Sequence, residues 1–161
     1  MSENLKRMIA LADSFFDVRH DPEQLQVDQN VLEKLNTIDP NTLSEEIDGD
    51  GPVVWILLIP TTSDVMHRFL KNEITENQLF EETKAGQNYE ALYLCSALVL
   101  EEFRHKGLAR KLSLHAINAI RKKYPIRYLY VWAFSEEGKQ LSIRLSGETG
   151  LPLLSREDSL D

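Results

Sequence analysis

The residues best able to do chemistry stand together as Arg104-His105-Lys106-Gly107-Leu108-Ala109. The first turn of a helix leaves backbone N–H groups unpaired and carries the positive end of the helix dipole, so it attracts anions without help from side chains. Gly107 permits a tight turn and a close approach of backbone to phosphate. Ala109 keeps the second approach narrow, Arg104 and Lys106 add positive charge, and His105 stands where it could donate a hydrogen bond. The dipole alone contributes only about 0.3–1 kcal/mol, so firm binding calls for several amides converging on a multiply charged group such as a diphosphate. Neither Gly-x-x-x-x-Gly-Lys-Ser/Thr nor Gly-x-Gly-x-x-Gly occurs. Cys95, the single cysteine, lies in an apolar run that suits an inert core thiol better than a nucleophile. His20, His67, His105 and His115 are scattered without metal-ligand spacing, and no metal is expected.

Such a cradle needs a strand before it and a helix after it. Residues 89–100 are apolar and rich in strand formers, and they run into the polar Glu101-Glu102-Phe103-Arg104-His105-Lys106, where the strand must end. From Gly107 onward Leu108, Leu112, Ala116 and Ile120 recur every four residues with Ala109 and Ile117 beside them, which predicts an amphipathic helix stopped by Pro125. Residues 126–134 read as the next strand, giving the strand, helix, strand order of a parallel crossover. Ser135 is expected to cap a last helix through Leu141, Ile143 and Leu145, broken by Gly147 and Gly150.

Upstream, Leu5 to Phe16 carry helical spacing, with a stop expected near Asp21-Pro22. Asp28 is the expected cap of a second helix through Val31, Leu32 and Leu35, ended by Asp39-Pro40-Asn41. Asp48-Gly49-Asp50-Gly51-Pro52 reads as a turn or exposed loop, and residues 52–60 as an internal strand covered on both faces. Thr61, Thr62, Ser63 and Asp64 supply capping oxygens for a helix through Val65, Met66, Phe69 and Leu70, and Thr75-x-x-Gln78 resembles a second capping box, so a helical pair is expected.

The run Ala97-Leu98-Val99-Leu100-Glu101-Glu102-Phe103 followed by Arg-x-x-Gly-x-Ala resembles the acetyl-CoA pyrophosphate motif of the GNAT N-acetyltransferase superfamily. A second match follows: Ser135-Glu136-Glu137-Gly138-Lys139-Gln140-Leu141-Ser142 falls where that family commonly has an Asn-x-x-Ala-x-x-Leu-Tyr helix. The resemblance implies an α/β (α+β) fold, a GNAT-like mixed central sheet flanked by helices, with helical N-terminal and mid-chain elements. It implies acetyl-CoA as acyl donor, its pyrophosphate held by the backbone of Arg104, His105, Lys106, Gly107, Leu108 and Ala109. Ala97, Leu98 and Val99 would pair with the pantetheine arm like an extra strand that splays from the next one, and Ser135 would join the cofactor site. The implied reaction is direct transfer of acetyl to a primary amine of a small molecule or protein, in which positioning can remove about 7–11 kcal/mol of barrier. Proton transfer comes second. Ser142 takes the place of the family's acidic tyrosine, and a serine is the poorer acid. The family's strand glutamate has Tyr93 as its nearest match, with Glu90 one pleat away; alternation puts Tyr93 and Cys95 on one face and Glu90 on the other unless a bulge intervenes. The alternative reading is a non-catalytic GNAT-like acyl-CoA-binding or interaction module. Two departures stand out: helices between residues 62 and 83 replace the usual hairpin before the cofactor strand, and the tail after Leu145 has room for one strand at most.

The bulk composition sets the outer limits. A chain of 161 residues with 42% apolar content suits a single domain, 1–161, with a real core. With 26 acidic against 18 basic residues and a net charge of -8, nucleic acid is an unfavoured partner. The longest apolar run is far short of the roughly 20 residues that cross a bilayer, and no export signal is read, so a cytoplasmic protein with no membrane partner is expected. The sequence leaves a homodimer open.

Overall fold

A computed structural model describes residues 2–19 and 29–157. The expected stop at Asp21-Pro22, the expected cap Asp28 and His20 lie outside the described residues.

Helix α1 (Glu3–Arg19) and helix α2 (Gln29–Ile38) precede a hairpin of β1 (Leu43–Asp48) and β2 (Gly51–Thr61). Helices α3 (Ser63–Leu70) and α4 (Glu76–Glu82) lead to β3 (Ala91–Val99), a single 3-10 turn at Glu101–Phe103, and α5 (Leu108–Arg121). Then come β4 (Tyr128–Val131), α6 (Glu136–Thr149) and β5 (Leu153–Ser155). The five strands lie in the order β1-β2-β3-β4-β5. The first two pairings are antiparallel and the last two parallel. This is the expected mixed α/β class: one central sheet flanked by helices at the N-terminus, in mid-chain and along both crossovers.

β2 is buried along its whole length except at Trp55, because it lies between two neighbours and under helices on its faces, as its continuous apolar run predicts. β1 escapes a sequence reading. Leu43-Ser44-Glu45-Glu46-Ile47-Asp48 is acidic and mostly exposed, and it becomes a strand through pairing with β2, reinforced by a bond from Trp55 Nε1 to Glu45 Oε1 at 2.8 Å. Its charges suit an unpaired sheet edge. A hairpin ahead of β3 is therefore present, and α3 and α4 follow it rather than replace it. Their N-termini form as the sequence requires: Thr62 accepts from Val65 N, and Thr75 with Gln78 makes a complete capping box. A second correction concerns Gly147, which lies inside α6; the helix ends at Gly150, whose φ of 75° makes the left-handed cap.

The closed half of the sheet is packed around aromatic rings. Tyr93 and Tyr130 are in register on β3 and β4, with ring centroids 5.0 Å apart, and Phe69 of α3 meets both edge-on. Arg156, after β5, lies over the rings of Phe69 and Trp132 and donates to Asn72 Oδ1 at 2.7 Å, which fixes the chain end beyond β5 to the turn after α3. α5 and α6 pack against each other.

Candidate functional site

β3 and β4 pair only where Ala91–Leu94 meets Tyr128–Val131. Beyond that point β3 continues to Val99, still held by β2, whereas β4 ends. The two strands part into a cleft of about 850 Å³, with Ser96, Ala97 and Val99 on one side, Trp132 and Phe134 on the other, and the starts of α5 and α6 at its rim. Leu11 and Phe15 of α1 also line it.

The backbone of β3 can be oriented from its ladder. Val99 stands opposite Val54, and Leu100 N donates to Val53 O at 2.9 Å, so Val99 and Val54 form a non-hydrogen-bonded pair. The N–H and C=O of Val99, and of Ala97 two residues earlier, therefore point to the open edge, and those of Leu98 turn towards β2. Of the three expected arm-pairing residues, Ala97 turns both its N–H and its C=O to the open edge, and Val99 offers its N–H there. The carbonyl of Val99 already accepts from Arg104 Nε at 3.1 Å, which staples the loop to the end of the strand.

The loop itself turns through two left-handed residues, His105 at φ 63° and Gly107 at φ 74°. A side chain at Gly107 would meet nothing within 4 Å, so the glycine is required by its dihedral angle and not by crowding. Gly107 opens α5 without any side-chain cap, and the first turn holds no acidic residue. The N–H groups there have no intrahelical acceptor. Lys106 lies over the ring of Phe103, and Arg110 pairs with Glu148 of α6 at 2.7 Å, joining the two helices below the rim. From the other side, Arg7 of α1 grips Glu102 with two bonds of 2.6 and 2.7 Å. The hydrogen bond from Arg7 holds the Glu102 carboxyl at about 2, well below its ordinary 4.5.

The expected cofactor residues Ala97, Leu98, Val99, Arg104, His105, Gly107, Leu108, Ala109 and Ser135 all line this one cleft, and Lys106 stands exposed within the same loop. Ser135 accepts from Gly138 N at 3.0 Å as the cap of α6. The catalytic candidates divide. Ser142 lines the cleft, but its hydroxyl donates to Gly138 O at 2.9 Å, so its only proton is engaged. Tyr93 is fully buried in the closed half and donates to Glu76 Oε2 at 2.6 Å. Glu90 lies just before β3, at the end remote from the cleft, where its backbone O accepts from Arg127 N and its carboxylate lies 3.5 Å from the Arg127 guanidinium. The bulge that could re-aim β3 occurs at Cys95, after Glu90: Leu57 faces Ser96 and Leu58 faces Leu94, leaving Cys95 without an opposite residue. Cys95 is buried and lines the cleft. Tyr130 is no proton acceptor, since burial pushes its hydroxyl far up and it shares a 2.7 Å bond with Thr61. Sequence reasoning missed Ser96 and Ser113, which line the cleft together with Trp132.

No family model matches the sequence, and no curated protein matches it. The structure is similar to that of the NatB acetyltransferase complex bound to a bisubstrate inhibitor, with a TM-score of 0.50 over 83% of this chain and 67% of that one. The fold is shared with an acetyltransferase. At 16% identity the likeness speaks for the fold alone. Among the described residues no group of three or more His, Cys, Asp or Glu could hold a metal ion, and no helix is long and apolar enough to cross a membrane.

Proposed function

We propose that this chain is an acetyl-CoA-dependent N-acetyltransferase of GNAT type, passing an acetyl group directly to a primary amine of a small molecule or protein. The observation that carries the reading is the splay: β3 and β4 are parallel neighbours up to Leu94 and Val131, then separate beneath the uncapped first turn of α5. A diphosphate at that turn would meet unpaired amides at the positive end of the helix, and an amide-bearing arm could continue the sheet on the free edge of Ala97 and Val99. The thioester would then lie deeper, towards Leu94 and Cys95, where the strands converge. The resemblance in sequence and the shared fold support the same reading.

Acyl transfer at such a site depends mainly on alignment of the amine with the thioester carbonyl and on exclusion of water by apolar walls. Ser142 can assist the leaving thiolate only by giving up its bond to Gly138. A second reading, a module that binds acyl-CoA without turning it over, is favoured by that bond and by the distance of Tyr93 and Glu90 from the cleft. Calorimetry with acetyl-CoA tests both readings at once, and absence of binding removes both. A panel of amines with detection of released thiol then separates them: thiol release dependent on amine supports the enzyme, and binding without release supports the module.

A further inference from the structure

Ser113 of α5 lines the cleft and is only 1% exposed. It shares the buried stripe of the helix with Ala116, Ile117 and Ile120, all apolar. A helical serine or threonine in such surroundings commonly folds its hydroxyl onto the carbonyl one turn back. Ser142 and Thr149 of α6 both do so, to Gly138 O at 2.9 Å and Leu145 O at 2.8 Å. The Ser113 side chain makes no hydrogen bond among the described residues, so a buried hydroxyl faces the cleft with its proton unassigned.

The level of Ser113 in the cleft follows from the crossover. α5 runs back from the loop over the face of the sheet, touching β3 as well as β2 and β1, and five residues of helix from Leu108 to Ser113 descend about 7.5 Å. Two residues of strand cover about the same rise, which brings Ser113 from the level of Val99 to that of Ala97. This is below the phosphate cradle and above the convergence of the strands. We infer that the Ser113 hydroxyl is a donor to an amide carbonyl of the pantetheine arm, holding the arm from the helix side while Ala97 and Val99 hold it from the strand edge. The inference rests on the CoA reading and adds a residue to it.

The test compares wild type with Ser113→Ala by calorimetry, using CoA and the fragment 3′-phosphoadenosine 5′-diphosphate, which lacks the arm. The variant should bind CoA about 3- to 10-fold more weakly, the range of one neutral hydrogen bond. It should bind the fragment as wild type does. Its melting temperature without ligand should be unchanged or higher, because the mutation deletes a buried group with no internal partner. Equal CoA affinity in the two proteins, or an equal loss for CoA and fragment, overturns the inference while leaving the CoA reading in place. So does a fall of several degrees in the melting temperature, which would mean that the hydroxyl is held within the fold. Wild type that binds no CoA removes the CoA reading first and this inference with it.

Discussion

Two helices begin at the rim of the cleft, and their first turns are finished in different ways. α6 starts at Ser135, whose hydroxyl accepts from Gly138 N, and Glu136 and Glu137 lay negative charge against its positive end. α5 starts at Gly107, with no side chain to cap it and no acid in its first turn. Where the cap itself is among the described residues, α1, α3 and α4 also have side-chain acceptors at their starts: Asp50 accepts from Glu3 N and Asn4 N at α1, and threonines cap α3 and α4. A helix end satisfied from within has little left to offer a ligand, whereas one left open keeps both its amides and its field for an anion from solution. Among the helix starts whose caps are described, side chains thus cap four and none caps the helix that faces the opened strands.

The sharpest way to break this contrast is Gly107→Glu. The new side chain must adopt a left-handed backbone and brings a carboxylate to the open amides. CoA affinity measured by calorimetry should fall by at least about 100-fold; near-normal affinity would mean that the α5 end is not the anion site. Next in size is a pair at Arg104. Gln carries a nitrogen on Cδ, where Arg carries Nε, and can keep the staple to Val99 O without the charge; Lys keeps the charge but has a carbon there. If the staple shapes the cradle, Arg104→Lys loses about 10-fold in CoA affinity and Arg104→Gln less, an order set by one hydrogen bond. The reverse order would assign Arg104 to charge alone. Smaller again is Ser135→Ala, which should cost about 1 kcal/mol in chemical denaturation through loss of the α6 cap. A concurrent drop in CoA affinity would show that Ser135 divides its hydroxyl between helix and ligand and would blur the contrast.

The smallest effect concerns the clamp that holds the turn before α5. Arg7 depresses the folded-state value of Glu102 to about 2 from 4.5, so the unfolded chain takes up the proton first as pH falls. The clamp's contribution is fully present above about 4.5 and is lost as pH falls through about 2. Because both side chains are solvent-accessible the gain is modest and salt-sensitive. Wild type should exceed Glu102→Gln in denaturation midpoint near pH 6, and the gap should close on acidification.

The loop at 104–109 was legible because its requirements are local: a glycine where φ is positive, small residues, and a helical stripe starting at once. β2 and the capping boxes were legible for similar reasons. β1 was hidden because its acids carry no strand signal, and its conformation comes from the ladder with β2 and the turn at Asp48 to Gly51. The positions of Tyr93 and Glu90 relative to the cleft were equally hidden. They depend on how far β4 stays beside β3, a length that no residue of β3 encodes. Ser113 left a faint trace, one polar residue on a stripe otherwise apolar at 116, 117 and 120, which reads as noise until the cleft beside it is known.

The extra residue at Cys95 bears on how this chain can change over evolution. Removing that residue would restore a regular one-to-one ladder in which Ser96 to Val99 keep Leu57 to Val54 as partners, and what would be lost is the local bend and added twist that a bulge gives its strand. That bend lies just where β3 leaves β4, and no replacement of a side chain could restore it, because it comes from a count of residues and not from their types. Substitutions in this stretch should therefore be tolerated far more readily than gaps, and related chains should conserve the number of residues between the strand's start and Gly107 more strictly than their identities.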